Sequence, residues 1–300
     1  MKLYFWHALS IALNFLSFFF ITPLLATNKV HYGIFSLCLS LNIYLSYADL
    51  GFLSAGTKYA CEAYAKIDRR GEQEILGFVS WIMILFFLVF ELVLILLVVF
   101  PQIILKGTNN PADFELLRRL LLVSLISTPN ILYQRLIQVI FIARLEDYYI
   151  RRLQVIQNIF TIFAIFFFFS KDYKIFEYYL FLQALGLGMS IILTSTVRRR
   201  YAFDFQNYLR NIRFNQSVYS RIKGMAFSAL FVMVAWILYY EMDNVIISSL
   251  IGVAFLGTYA ASATIINFIR NLLSALYSPY STKFNYFVAL GENKKLNILM

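Results

Sequence analysis

Arg270 stands beside Asn267, Asn271 and Ser274, and nowhere else in the sequence do residue types and spacing so clearly offer chemistry. Together with Thr264 and Ser278, those neutral residues recur at alternating intervals of three and four, which draws one polar stripe along a single helix face. A guanidinium bordering such a stripe is suited to gripping a phosphate or carboxylate through charge-assisted hydrogen bonds. Two other segments carry stripes of the same period, His7, Ser10, Asn14 and Ser17 in one, Ser36, Ser40, Tyr44 and Tyr47 in the other. Each stripe has two readings, hydrogen bonds between packed helices or the wall of a cavity, and the residues alone leave both open.

The remaining candidates are single ionisable groups inside apolar runs: Asp49, Glu91, Arg135, Glu241 and Asp243. Each costs at least about 2.5 kcal/mol to bring into a membrane, so each needs a partner or a role. Arg135 reads as a snorkelling or structurally paired cation, with Glu91 a candidate partner, and Glu91 as a protonated or paired carboxyl. For Arg270 substrate contact is favoured, with a structural pair to Asp49 as the rival. Catalytic parts are missing: His7 and His31 are the only histidines, Cys38 and Cys61 have no ligand spacing, and there is no phosphate loop or nucleophile elbow. We therefore expect neither an enzyme nor a metal or cofactor.

The elements that must position these residues follow from composition. The 300 residues are 61% hydrophobic and 14% charged, too sparse in charge for a soluble domain. Runs of about 20 apolar residues recur, the length that crosses a hydrocarbon core of about 30 Å. About eight spans are expected, near residues 5–26, 33–55, 76–100, 120–143, 153–170, 176–197, 224–248 and 257–281, forming an all-α polytopic membrane helix bundle. The third and fifth are almost wholly apolar. Lys2 ahead of the first run looks like a secretory signal, but the run exceeds a usual signal core in length. Pro23, Pro129 and Pro279 are expected to permit kinks.

Cations orient the bundle. With the N-terminus inside, inner segments hold 18 Lys and Arg, outer loops hold 6, and Arg135 and Arg270 lie within spans. The positive-inside rule then sets both ends of the chain in the cytoplasm, and it accounts for the net charge of +10 without nucleic acid. By helix rise from the outer end, Glu91 lies roughly 14 Å deep, Arg135 and Arg270 roughly 20 to 22 Å and Asp49 roughly 24 Å. Residues 198–223 form a basic linker between six spans (1–197) and two more (224–300). Within it Phe205, Leu209 and Ile212 share a face, as in an amphipathic helix lying on anionic lipid. A shift of 224 residues aligns Gly33, Phe35, Ser36 and Ser40 with Gly257, Tyr259, Ala260 and Thr264, an echo equally compatible with coincidence and with a repeated bundle.

The stretch from His31 to Ser36, then Tyr47-Ala48-Asp49-Leu50-Gly51-Phe52 with Lys58-Tyr59-Ala60, resembles the beginning of Wzx-type polysaccharide flippases, within the multidrug/oligosaccharidyl-lipid/polysaccharide exporter superfamily. The run Asp243-Asn244-Val245-Ile246-Ile247, followed by Gly257-Thr258-Tyr259 and Pro279, is similar to that family's seventh and eighth helices. The resemblance implies two six-helix lobes, here one lobe plus the first two helices of a second. It also implies a cavity lined by the first, second, seventh and eighth helices and alternating access to undecaprenyl-pyrophosphate-linked oligosaccharide in the bacterial cytoplasmic membrane. It implies a place in O-antigen or lipopolysaccharide biosynthesis, with other polysaccharide assembly proteins as partners. The family has twelve or more helices, so the chain is expected to be a fragment or the product of a truncated gene. The first helix lacks the internal arginine of some relatives, leaving Lys29 at its outer end. A multidrug exporter of the same fold is the alternative, and a membrane glycan polymerase or ligase a more distant one.

Overall fold

A computed structural model describes residues 2–47, 51–169 and 173–290, apart from a few side chains within helices. Asp49 therefore lies outside the described residues, and so do the side chains of Glu241, Asn271 and Ser274. Every described element is helical, with no strand among the described residues. In chain order they are α1 (Lys2–Leu25), α2 (Lys29–Tyr47), α3 (Phe52–Ala65), α4 (Arg69–Val99), α5 (Pro111–Ala143), α6 (Tyr148–Phe169) and α7 (Ile175–Tyr201). They continue as α8 (Phe205–Arg210), α9 (Gln216–Trp236), α10 (Met242–Ile246) and α11 (Val253–Leu290), with π-helical turns at Ile237–Glu241 and Ile247–Ile251 on either side of α10.

Among the described residues, seven helices are long and apolar enough to cross a membrane, so the chain is a multi-pass membrane protein. The expected second span is different. Here α2 ends at Tyr47 and α3 starts at Phe52, just after Gly51, which takes φ 81°, a conformation that glycine adopts without strain. A side chain at Gly51 would also strike the Ala226 carbonyl of α9. The α2 segment is too polar to stand among the seven because protein covers much of it, with Ile34, Leu37 and Cys38 fully buried.

Local chemistry sets the helix ends. Asp68, Asn110, Asp204 and Asn215 cap α4, α5, α8 and α9 by accepting backbone N–H bonds, and Pro111 starts α5 where no helical donor is lost. Pro101 follows α4 directly. The Arg198–Arg200 run closes α7, where the helix dipole favours cations.

The loops gather at two ends of the bundle. At one, Arg144 donates to Glu72 at 2.7 Å, Arg200 to Glu146 at 2.7 Å, and Arg221 lies 3.2 Å from Glu62. This end carries the basic linker. There α8 buries Tyr208, which shares a 2.6 Å hydrogen bond with Ser80, while Leu209 is 62% exposed. Of the expected apolar face, Phe205 and Ile212 pack against the basic-end core beside Tyr208, and Leu209 points away from the bundle.

At the opposite end His31 Nε2 lies 3.4 Å from Asp113 Oδ1, and Tyr173 donates to the Leu25 carbonyl at 2.7 Å. The loop after α4 pairs with the corner before α11 through Lys106 N–H to the Ser248 carbonyl and Val253 N–H to the Lys106 carbonyl. One apolar core sits near each end. The basic-end core joins α3, α4, α5, α7 and α9, and the other joins α2, α5, α7 and α11.

The 224-residue echo has a physical counterpart. Helix α2 begins at Lys29 and α11 at Val253, 224 residues apart, and the two pack side by side. A methyl at Gly33 would strike the Val253 carbonyl, and one at Gly257 would strike the Lys29 carbonyl. These two contacts map onto each other under the same shift, as a local two-fold requires. Glycine at both positions lets the backbones touch, the usual device for close helix packing in lipid.

Candidate functional site

Eight of the stripe and ionisable residues singled out in the sequence, Ser36 and Thr264 among them, meet in one cavity of about 350 Å³, at the low end of the range for ligand pockets. Asn14 and Ser17 reach it from α1, Ser40 from α2, Asp243 from α10, and Asn267 and Arg270 from α11. These elements adjoin because α11 packs against both α1 and α2, with Phe15 and Phe268 stacked at 3.5 Å between ring centroids.

The wall is hydrogen-bonded in steps. Ser17 donates to the Asn14 carbonyl at 2.6 Å, Ser40 to the Ser36 carbonyl at 3.0 Å, and Asn244 Nδ2 to Ser40 Oγ at 2.6 Å. Tyr259 donates to Asp243 Oδ2 at 2.5 Å. Arg270 is half-buried, its Cζ 5.3 Å from the centroid of the Trp236 ring, within cation–π range. The wall thus has one guanidinium, one carboxylate and a larger set of neutral amides and hydroxyls among its described side chains.

Other candidates lie elsewhere. Tyr44 packs against the core away from the basic end. Glu91 accepts a hydrogen bond from Thr128 on α5, two turns before Arg135 on that helix. Glu241 closes the first π-helical turn by its backbone, and Asn271 and Ser274 continue α11 past the described wall.

Several wall residues escaped the sequence reading. The fifth span, expected to be almost wholly apolar, becomes α6 and sends Asn158 and Thr161 into the cavity. Asn158 also donates to the Ser10 carbonyl at 3.0 Å, joining α6 to α1. A polar pair three residues apart was the available signal, outweighed by the phenylalanines around it. Asn244 was visible only as the neighbour of Asp243. The π-helical turns flanking both, a feature frequent at functional sites, left no mark in hydrophobic period.

A second, apolar groove of about 260 Å³ lies between α1 and α11, lined by Phe15, Phe19, Pro23, Ala261 and Ile265, and it shares Thr264 with the polar cavity. An acyl or prenyl chain suits its lining, as a polar head suits the neighbouring wall. No protein-family model matches the chain, and neither a curated protein nor a solved structure does.

Proposed function

We propose that the protein is a flippase that carries undecaprenyl-pyrophosphate-linked oligosaccharide from the inner to the outer leaflet of the bacterial cytoplasmic membrane by alternating access. The basic end of the bundle faces the cytoplasm, where anionic lipid attracts its arginines. One observation carries the reading: Arg270 shares a wall with a mostly neutral array of amides and hydroxyls. A guanidinium suits a diphosphate, and neutral donors and acceptors suit sugar hydroxyls. The apolar groove beside Thr264 gives the prenyl chain a place to lie while the head occupies the cavity.

Asp243 in the same wall favours a second reading, an exporter of cationic drugs. Its carboxylate, however, accepts from Tyr259, and the cavity holds a cation of its own. Expression in a flippase-null strain separates the two. Return of surface polysaccharide supports the flippase, whereas drug resistance without polysaccharide supports the exporter.

A further inference from the structure

Resting on the flippase reading, we propose that the cavity discriminates its glycan at the end remote from Arg270, through Asp243, Asn244 and Ser40. The second or third sugar counted from the diphosphate, rather than the first, then decides which oligosaccharide is accepted.

The separation comes from helix geometry. Asp243 is held by Tyr259, and Arg270 lies eleven residues further along the same helix as Tyr259, about 16 Å by helical rise. The Arg270 guanidinium sits over Trp236, seven residues before Asp243, which gives about 10 Å along the other wall. A diphosphate at Arg270 leaves its first sugar short of Asp243, and later rings span the gap.

The remote end is rich in acceptors. Asn244 spends its amide nitrogen on Ser40, and its Oδ1 is buried with no hydrogen-bond partner among the described residues. A buried acceptor without a donor is costly, so a ligand hydroxyl or acetamido N–H arriving there gains more than one bond's ordinary worth. Asp243 adds a carboxylate, which has acceptor sites for more than one donor. Rings of Tyr32, Phe35 and Tyr259 line the same region and offer faces to the apolar sides of a pyranose. An acidic sugar meets the Asp243 charge and is rejected, a repulsive element of the kind that specificity requires.

The test measures binding of undecaprenyl-pyrophosphate carrying one, two or three N-acetylhexosamine residues to the purified full chain in lipid nanodiscs. Affinity is expected to rise roughly fivefold once the second or third sugar is present. Asn244→Ala and Ser40→Ala should each remove most of that gain and weaken the one-sugar carrier less, with an unchanged thermal unfolding midpoint reporting an intact fold. Replacing the outer sugar by a hexuronic acid should cancel the gain in the wild type and restore it in Asp243→Asn. Affinity independent of glycan length, or equal loss at every length in both alanine variants, would overturn the inference while leaving the flippase reading in place. Binding of none of the carriers by folded wild-type protein would overturn both.

Discussion

A guanidinium inside a membrane bundle costs at least about 2.5 kcal/mol, and Arg270 is placed where such a cost is offset, in a polar wall and over an indole ring. If it grips the diphosphate, Arg270→Ala should abolish transport while the protein still accumulates, and Arg270→Lys should keep part of the activity by keeping the charge. Reduced accumulation of Arg270→Ala, rescued by adding Asp49→Ala, would instead reveal a structural ion pair. Arg144 has a different job. It is 5% exposed on its side chain, holds Glu72, itself 1% exposed, and lies between the rings of Tyr64 and Tyr201. Arg144→Ala leaves the buried Glu72 carboxylate to the longer, half-exposed pair with Arg69 at 3.3 Å, so it should lower stability by less than the about 3 to 5 kcal/mol of a fully orphaned buried charge, and adding Glu72→Leu should recover much of the loss. Thermal unfolding in detergent reads both; an unchanged midpoint for Arg144→Ala would contradict the clamp. At this scale the sequence was informative where polar residues repeat at helical spacing, as Asn267 and Arg270 do, and mute where one amide sits among phenylalanines, as Asn158 does.

Among the elements, the α2–α11 pair makes the sharpest demand. Gly33→Ala and Gly257→Ala should each destabilise by about 1 to 3 kcal/mol, since a methyl meets a backbone carbonyl rather than a yielding side chain. The double variant should cost less than the sum of the two, because either methyl already separates the helices. Strict additivity in the same unfolding measurement would mean that the two glycines act independently. The tie between α3 and α9 depends on pH. A hydrogen bond from Lys66, followed by the charge of Arg221, holds the Glu62 carboxyl below its usual range near 4.5. Its contribution is therefore complete above that range and is lost as pH falls through the lowered value. Amide exchange in the first turns of α9 should accelerate on acidification in the wild type and lose that dependence in Glu62→Gln. The closeness of α2 and α11 left a trace in the sequence because each helix keeps a glycine where the backbones touch. The division between α2 and α3 left none, because an apolar run gives no sign of a turn when the residues around it remain hydrophobic.

For the whole molecule, the apolar spans and their order were readable because lipid imposes a length and a hydropathy on every crossing helix. The cavity was readable only in part, since hydropathy says which residues avoid lipid without saying which of them meet. The proposed orientation predicts that reporter fusions after Arg70, Arg152 and Lys223 read cytoplasmic and those after Lys106 and Lys171 read external. A reversal at any one of these would break the alternation. Transport itself is tested most directly in sealed vesicles loaded on one leaflet with fluorescent undecaprenyl-pyrophosphate oligosaccharide, by following exposure of the glycan to a membrane-impermeant lectin. The wild-type protein should move the glycan across, and Arg270→Ala, reconstituted at equal density, should not; equal rates for the two, or no movement by folded wild-type protein, would contradict the account.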